Sequence, residues 1–166
     1  MPLTTNIRAQ ITCALTKAGD LGTGSFPVQL LIEAALASGT TDVQADKAWG
    51  DTRTLAPSAT EDLDLAGVLF DPFGDAFTLA EVVAILIMAA AANTNNVIVG
   101  NHATAAFVGP FGAAAHTRAI KPGGFDFWYA PAGWPVTATT ADLLKVLNSA
   151  GGTSVDYSAV IVGRSA

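Results

Sequence analysis

The sequence predicts an all-β protein, a single-domain, jelly-roll-like β-sandwich with a short N-terminal arm. Short apolar runs rich in β-branched and aromatic residues alternate with turn signals about every eight to twelve residues, which is typical of sandwiches and jelly rolls. No linker, charge block or repeat divides the 166 residues, and a chain of this length can bury a real core. Hydrophobic residues make up 51% of the chain, which excludes disorder by composition.

The chain divides into an arm over residues 1–10 and a β-sandwich over residues 11–166. Ile11–Lys17 alternates well enough for a first strand, and the turn-rich Gly19–Gly24 ends it. Val28–Ala37 is open to two interpretations. It suits either a helix of about two and a half turns or a strand that ends at the following Ser-Gly pair.

Most of the other strands are predicted from short β-branched or alternating runs. Lys121–Gly124 has Pro and Gly where a type II turn requires them, so Phe125–Ala130 is expected to return as the second strand of a hairpin. The remaining predicted strands are Lys47–Leu55, Thr60–Leu65, Asn96–Val99, Ala106–Val108, Thr117–Ile120, Val136–Ala138, Leu143–Asn148 and Val155–Gly163.

The longest apolar run begins at Phe77 and has no polar side chain from Val82 to Ala92. It is too short to cross a membrane, and Glu81 lies near its start. Its bulky residues cover every side of a helical wheel, so only a fully buried helix would fit. A strand is favoured, because the odd positions are mostly bulky and the even positions are on average smaller. We expect a long central strand with its odd face in the core. Another subunit would cover the even face, which carries Ala80, Ala84, Leu86 and Met88.

Charge and cysteine content limit the partners. Only 13% of residues are charged and the net charge is −6, so no basic surface is expected for nucleic acid or an anionic membrane. A surface with so little charge favours contact with other copies of the chain. Cys13 is the single cysteine, which excludes an intrachain disulfide. The N-terminus lacks a signal-peptide pattern, so synthesis and retention in a reducing cytoplasm are expected.

The sequence contains no catalytic signature. Gly22–Ser25 lacks the Gly-Lys-Ser/Thr ending of a phosphate loop, and no Gly-x-Ser-x-Gly nucleophile elbow occurs. Neither His102 nor His116 has an evident nucleophile and orienting acid nearby in sequence. Solvated faces and turns are favoured over a calcium site for the acidic groups, which are Asp42, Asp46, Asp51, Glu61, Asp62, Asp64, Asp71 and Asp75. We therefore predict no enzyme, and no catalytic, cofactor-binding or metal-binding residues.

Three aromatic residues, Trp128, Tyr129 and Trp134, surround the loop-like Ala130–Gly133. On the loops of a sandwich they could stack on sugar rings as a ligand platform. Core or subunit contact is favoured, because alternation along a strand would send Phe127 and Tyr129 to one face and Trp128 to the other.

Five phrases resemble structural proteins of tailed bacteriophages. The first two are Asp51–Ala56, reading DTRTLA, and Thr60–Gly67, reading TEDLDLAG, which resemble a strand pair in those proteins. The other three are Asn93–Gly100, Lys121–Gly124 and Thr140–Val146. The resemblance extends from about residue 45 to the end of the chain, and its phrases are structural rather than catalytic.

The resemblance implies a virion protein with a jelly-roll sandwich, made in the bacterial cytoplasm and placed on the outer capsid surface. Within that class we favour a capsid decoration, or cement, protein that binds the major capsid protein as a homo-oligomer, with a trimer preferred. The alternative is a receptor- or glycan-binding module of a tail fibre or head spike, which would use the three aromatic residues. The candidate capsid contacts lie in the arm and are Met1, Pro2, Leu3, Thr4, Thr5, Asn6, Ile7 and Arg8.

Overall fold

The structure, a computed structural model, describes residues 2–166 and is all-β, with sheets that pack against one another. The predicted fold class is confirmed. No α-helix occurs in residues 2–166, and a single 3-10 turn spans Gly109–Phe111. The strands are β1 Thr5–Gly19, β2 Gly22–Ser38, β3 Gln44–Ala45, β4 Lys47–Leu55, β5 Thr60–Asp64, β6 Glu81–Ala89, β7 Val97–Gly100, β8 Thr117–Ile120, β9 Phe125–Pro135, β10 Leu143–Asn148 and β11 Val155–Arg164.

Strands β4 to β11 form a jelly roll of two four-stranded sheets. One sheet has the order β4-β11-β6-β9 and the other β5-β10-β7-β8. The strands pair in nested order, as the two arms of one long hairpin would. All pairs are antiparallel, and they are β7 with β8, β6 with β9, β5 with β10 and β4 with β11. This wrapping into two sheets is the jelly-roll topology. We call the β4-β11-β6-β9 sheet the outer sheet.

The main core lies between the two sheets, and the long apolar run supplies its centre. The strand prediction for this run is confirmed from Glu81 to Ala89, and β6 lies between β11 and β9. Ile85 and Ile87 are fully buried in the main core, as the alternation predicts. The pairing shifts at a bulge between Val82 and Ala84, so Val83 joins a second, smaller core on the other side of the sheet.

Strands β1 and β2 pair over their whole length as one hairpin, which we call the ribbon, Thr5–Ser38. A two-residue loop, Asp20-Leu21, joins the facing pair Gly19 and Gly22 at the tip. Val28–Ala37, for which the sequence allowed a helix or a strand, is therefore a strand. The predicted domain boundary at residue 10 falls inside β1. At the base of the ribbon, Ile7 and Leu36 are buried in the second core.

Several element predictions are wrong, and each has a local reason. Ala106–Val108 and Val136–Ala138 make only isolated bridges, from Ala106 to Leu143 and from Thr137 to Ala141. Phe77 and Leu79 are buried, but their N–H groups bond to Leu69 and Leu65 before β6 begins.

The Lys121–Gly124 turn is confirmed, since Gly123 has φ +75° and the Gly124 N–H donates to the Lys121 carbonyl at 2.8 Å. The predicted hairpin is wrong, however, because β8 and β9 belong to different sheets. The turn therefore carries the chain from one sheet to the other.

A buried arginine at the end of β11 connects β6, β9 and the segment that follows the ribbon. The Arg164 side chain is fully buried, and its Nε donates to Glu81 Oε2 at 2.7 Å. Its Nη1 donates at 2.8 Å to the carbonyl of Thr41, which lies in the segment that follows the ribbon. The Pro131 and Ala132 carbonyls, in an irregular part of β9, also accept from the guanidinium. A planar fork of five donors suits this convergence of acceptors.

We predict that Arg164→Leu lowers the free energy of unfolding by about 3–5 kcal/mol, because it leaves Glu81 and several buried carbonyls without their donor. Arg118→Leu is the matched control, because Arg118 pairs with Asp126 on the surface with its side chain 59% exposed. Urea denaturation followed by tryptophan fluorescence measures both variants. Equal midpoints for Arg164→Leu and the control would contradict a structural role for the buried guanidinium.

Candidate interaction surface

The ribbon has two chemically different faces. Facing residues of an antiparallel pair share one face, so its register gives each face directly. One face carries Ile7, Ala9, Ile11, Cys13 and Leu15 on β1 opposite Ala34, Ile32, Leu30, Val28 and Phe26 on β2. We call this the apolar ribbon face. Beyond the base it contains no charged or hydrogen-bonding side chain until Lys17, near the tip.

Most of the apolar ribbon face is exposed to solvent. Only its first rows are covered, where Ile7 and Leu36 are 8% and 3% exposed. Further out, the exposed fractions are 69% for Ile11, 71% for Leu15, 67% for Phe26, 43% for Val28, 63% for Leu30 and 51% for Ile32. At about 3.4 Å per residue, the projecting part from Ala9 to Gly19 is roughly 35 Å long. A contiguous apolar strip of this size marks an interaction site.

The opposite ribbon face is mostly polar and stabilises the pairing of the strands. Arg8 Nε lies 3.3 Å from Glu33 Oε1 across the two strands, and both side chains are more than half exposed. Along β1, Arg8 donates to Gln10, and Gln10 donates to Thr12 at 3.1 Å. The ribbon is thus amphipathic, with one face suited to water and one suited to another protein surface.

A second exposed apolar area lies on the outer sheet, beside the base of the ribbon. Cross-strand pairing places Val160, Leu86 and Phe127 in one row, and Met88 and Phe125 in the next. Exposed fractions are 45% for Val160, 38% for Leu86, 47% for Met88 and 65% for Phe125. We call these five residues the sheet patch. It is the even face of the long apolar run, as the sequence predicts for Leu86 and Met88.

The row nearest the ribbon, by contrast, is covered. Ala84 and Val162 are 5% and 8% exposed, and both belong to the second core with Ile7 and Leu36. Another subunit was predicted to cover the even face, which includes Ala84. At Ala84 the chain's own ribbon provides that cover instead. The ribbon then leaves the sheet, since the sheet patch and the rest of the apolar ribbon face are both exposed.

The predicted capsid-contact residues belong to the base of the ribbon. Met1 lies outside the described residues. Leu3 and Ile7 face the second core, and the Leu3 N–H donates to Ser38 Oγ. The outward-facing members are Pro2, Thr4, Asn6 and Arg8, while Thr5 is half-buried. The segment is thus a paired strand edge rather than a separate arm.

The three aromatic residues of β9 lie on opposite faces of the outer sheet. Trp128 and Trp134 pack against the main core, and the Trp128 ring is 5.7 Å from that of Phe111. Tyr129 packs against the second core on the other side, together with Phe127. The alternation predicted along this strand is confirmed. The structure therefore does not bring the three rings together on one surface.

The two histidines and the buried Tyr157 have structural partners. His116 Nδ1 is 2.6 Å from the Phe111 carbonyl oxygen, and His102 Nδ1 accepts the Ala105 N–H at 3.0 Å. Tyr157 is buried and donates to Glu61. Its burial and the neighbouring carboxylate hold the pKa of Tyr157 well above the ordinary value, so it stays a hydrogen-bond donor.

Two further features were sought in the described part of the chain, a cluster of metal-ligating side chains and a membrane-spanning helix. No group of three or more His, Cys, Asp or Glu residues within residues 2–166 is arranged to hold a metal ion. The same residues contain no helix with the length and hydropathy needed to span a bilayer.

The sequence does carry a signal for the apolar ribbon face. In β1 the apolar residues Ile7, Ala9, Ile11, Cys13 and Leu15 occupy alternate positions. The partner strand obscures the pattern, because Leu30, Leu31 and Ile32 are consecutive and Leu31 lies on the polar face. Only the register shows that the odd residues of β1 and the even residues of β2 form one surface.

The sequence matches no protein-family model, and no curated protein is significantly similar to it. The function is therefore argued from the geometry of the ribbon and the sheet patch.

We predict that the ribbon can be shortened without destabilising the jelly roll. Gln10 faces Leu31, so replacing residues 11–30 by Asn-Gly restores a two-residue hairpin loop at that pair. The removed residues belong to neither core, so the urea midpoint of the jelly roll should stay unchanged. Circular dichroism and urea denaturation measure this, and a lower midpoint would show that the outer ribbon supports the fold.

Proposed function

We propose that this protein is a virion structural protein of a tailed bacteriophage, a capsid decoration protein that binds the assembled shell as a homo-oligomer, with a trimer preferred. The observation that carries the proposal is the exposed apolar face of the ribbon. A two-stranded ribbon is at best marginally stable alone in water, so a long one is expected to be covered in the functional assembly. Exposed strand edges and apolar faces of this kind belong to proteins that work by contact.

The energy available from the ribbon suits assembly. Full burial of a Val, Leu, Ile or Phe side chain contributes about 1.5–3 kcal/mol. Six such side chains are exposed on the apolar ribbon face. Association costs roughly 4–15 kcal/mol in lost translational and rotational freedom. Burial of this face is therefore of the right size to hold subunits together without any chemical step.

The charge distribution supports an outer position. The ribbon, Thr5–Ser38, carries two basic and two acidic residues and is neutral, so the net charge of −6 belongs to the rest of the chain. An acidic body is repelled by the packaged nucleic acid and suits the outside of a shell. The neutral ribbon can approach another protein with little electrostatic repulsion.

In this proposal the jelly roll is a passive clamp on the major capsid protein. The protein binds the assembled lattice better than free capsid subunits, and this difference in affinity stabilises the lattice by mass action. The outward residues at the ribbon base, Pro2, Thr4, Asn6 and Arg8, are exposed beside the second core and are the candidate contacts with the shell. The choice of a phage virion rests on the sequence phrases, from about residue 45 onward, that resemble phage structural proteins.

A glycan-binding role has less support. It needs aromatic rings together on an accessible surface, but Trp128 and Trp134 pack on the main core and Tyr129 lies on the opposite side of the sheet. Trp134→Ala would disturb the fold as well as any sugar contact, so loss of binding in that variant would not support a glycan site.

The test uses capsids assembled without this protein. Added protein should bind the assembled shells and not free capsid subunits, and bound shells should resist heat or chaotrope better than bare shells. In native particles the protein should occur in many copies, at a fixed ratio to the major capsid protein. Few copies located in tail fractions, or binding to free subunits as strong as to shells, would contradict the proposal.

A further inference from the structure

The chain exposes two apolar surfaces that lie close to one contact already made within the molecule. At the base of the ribbon, Ile7 and Leu36 of the apolar ribbon face pack on Ala84 and Val162 of the outer sheet. The next rows of each surface are exposed, namely the outer part of the apolar ribbon face and the sheet patch. The internal contact shows that these two kinds of surface fit one another.

The ribbon cannot complete that contact in its own chain in the observed arrangement. Leu86 and Met88 on the sheet patch are 38% and 47% exposed, so the ribbon does not lie over them. A ribbon that approaches from another molecule could lie there, because the sheet patch is open to solvent. On β4, Gly50 is the cross-strand partner of Val160. Because Gly50 has no side chain, this edge of the sheet patch has room for a docking ribbon.

Neither surface would bring a charge into the contact. The apolar ribbon face has no charged residue between its base and Lys17, and the sheet patch consists of Leu86, Met88, Phe125, Phe127 and Val160. The row of Met88 ends in Ser158 on β11, and the row beyond it carries Asp156. The patch therefore has a polar rim on that side. Apolar centres with polar rims are typical of protein interfaces.

We propose that the apolar ribbon face of one copy docks on the sheet patch of a second copy of the same chain. The contact extends, between molecules, the packing that the ribbon base makes within one molecule. It covers both exposed surfaces at once. In this arrangement the ribbon of a neighbouring copy covers Leu86 and Met88, the exposed residues of the long apolar run.

This contact has a direction, which limits the assembly. Each copy has one ribbon and one sheet patch. Each copy can therefore dock its ribbon on one neighbour and accept the ribbon of another neighbour. Such a heterologous contact forms a closed ring when the rotation between neighbouring copies is a whole fraction of a full turn. A ring of three copies would be the trimer of the proposed function. The inference deepens that function by naming the subunit interface. It is tested on purified protein alone, so its failure is separate from a failure to bind capsids.

The test is a complementation experiment with two charge substitutions at exposed positions. Leu30→Asp damages the ribbon and leaves the sheet patch intact, whereas Leu86→Asp damages the patch and leaves the ribbon intact. Each variant alone should associate at least about tenfold more weakly than wild type. Thr12→Asp is the matched control, because Thr12 is on the polar face of the same ribbon, and it should associate like wild type.

An equimolar mixture of Leu30→Asp and Leu86→Asp should form a dimer and stop there. The Leu86→Asp ribbon can dock on the intact patch of the Leu30→Asp copy, but no second contact is available to close a ring. Sedimentation equilibrium measures the masses. If wild type is monomeric, or if Leu86→Asp associates like wild type, the proposal is overturned.

Ribbon-to-ribbon contact is the rival arrangement, and Cys13 distinguishes the two. Cys13 is the single cysteine and lies on the apolar ribbon face. A short bismaleimide should link Cys13 of one copy to a cysteine placed at Leu86 or Met88 of another, and should not link wild type or Val68→Cys, a control at an exposed loop position. Efficient Cys13–Cys13 linkage in wild type would overturn the proposal in favour of ribbon pairing.

Discussion

The buried guanidinium of Arg164 holds the segment that leads from the ribbon into the jelly roll. A buried charge is tolerated only when it is paired and fully hydrogen-bonded, and here Glu81 and three backbone carbonyls provide those partners. Those partners belong to β6, to β9 and to the segment after the ribbon. Gly133 makes the close approach possible, since it has φ +78° and a Cβ there would collide with the guanidinium. The joint is therefore specified, and the ribbon leaves the jelly roll in a defined direction.

The two parts of the chain obey different physical rules. The jelly roll buries its apolar residues between two sheets, and its antiparallel pairings leave few open edges. The ribbon buries only its base and exposes an apolar face along its length. Residues 11–30, which carry most of that exposed face, belong to neither core, and an exposed apolar face of this length is typical of a contact surface.

Sequence patterns predicted most strands of the jelly roll, but neither the pairing of those strands nor the length of the ribbon. Strands such as Lys47–Leu55 and Leu143–Asn148 were predicted to the residue, and in Leu143–Asn148 burial alternates with the period of a strand. Val28–Ala37 was not, because consecutive leucines and alanines fit a helix as well as a strand. Its pairing with β1 makes this segment a strand. The local sequence pattern does not show which distant residues a strand pairs with. The bulge at Val83 likewise moves one bulky side chain to the other face, against the simple alternation.

The interaction surface was partly predictable. Leu86 and Met88 lie outside the core on the even face, as the period predicts, whereas Val82, also an even position, is fully buried in the main core. The cover that another subunit is predicted to provide for Leu86 and Met88 stays a prediction. The role of the ribbon in covering Ala84 could not be predicted, because it depends on how the hairpin is anchored to the outer sheet. The most direct measurement is an electron-cryomicroscopy map of the particle that contains this protein. We predict jelly rolls outside the shell, each with its ribbon lying on a neighbouring copy. Ribbons that project freely into solvent, or a protein absent from the head, would contradict the account.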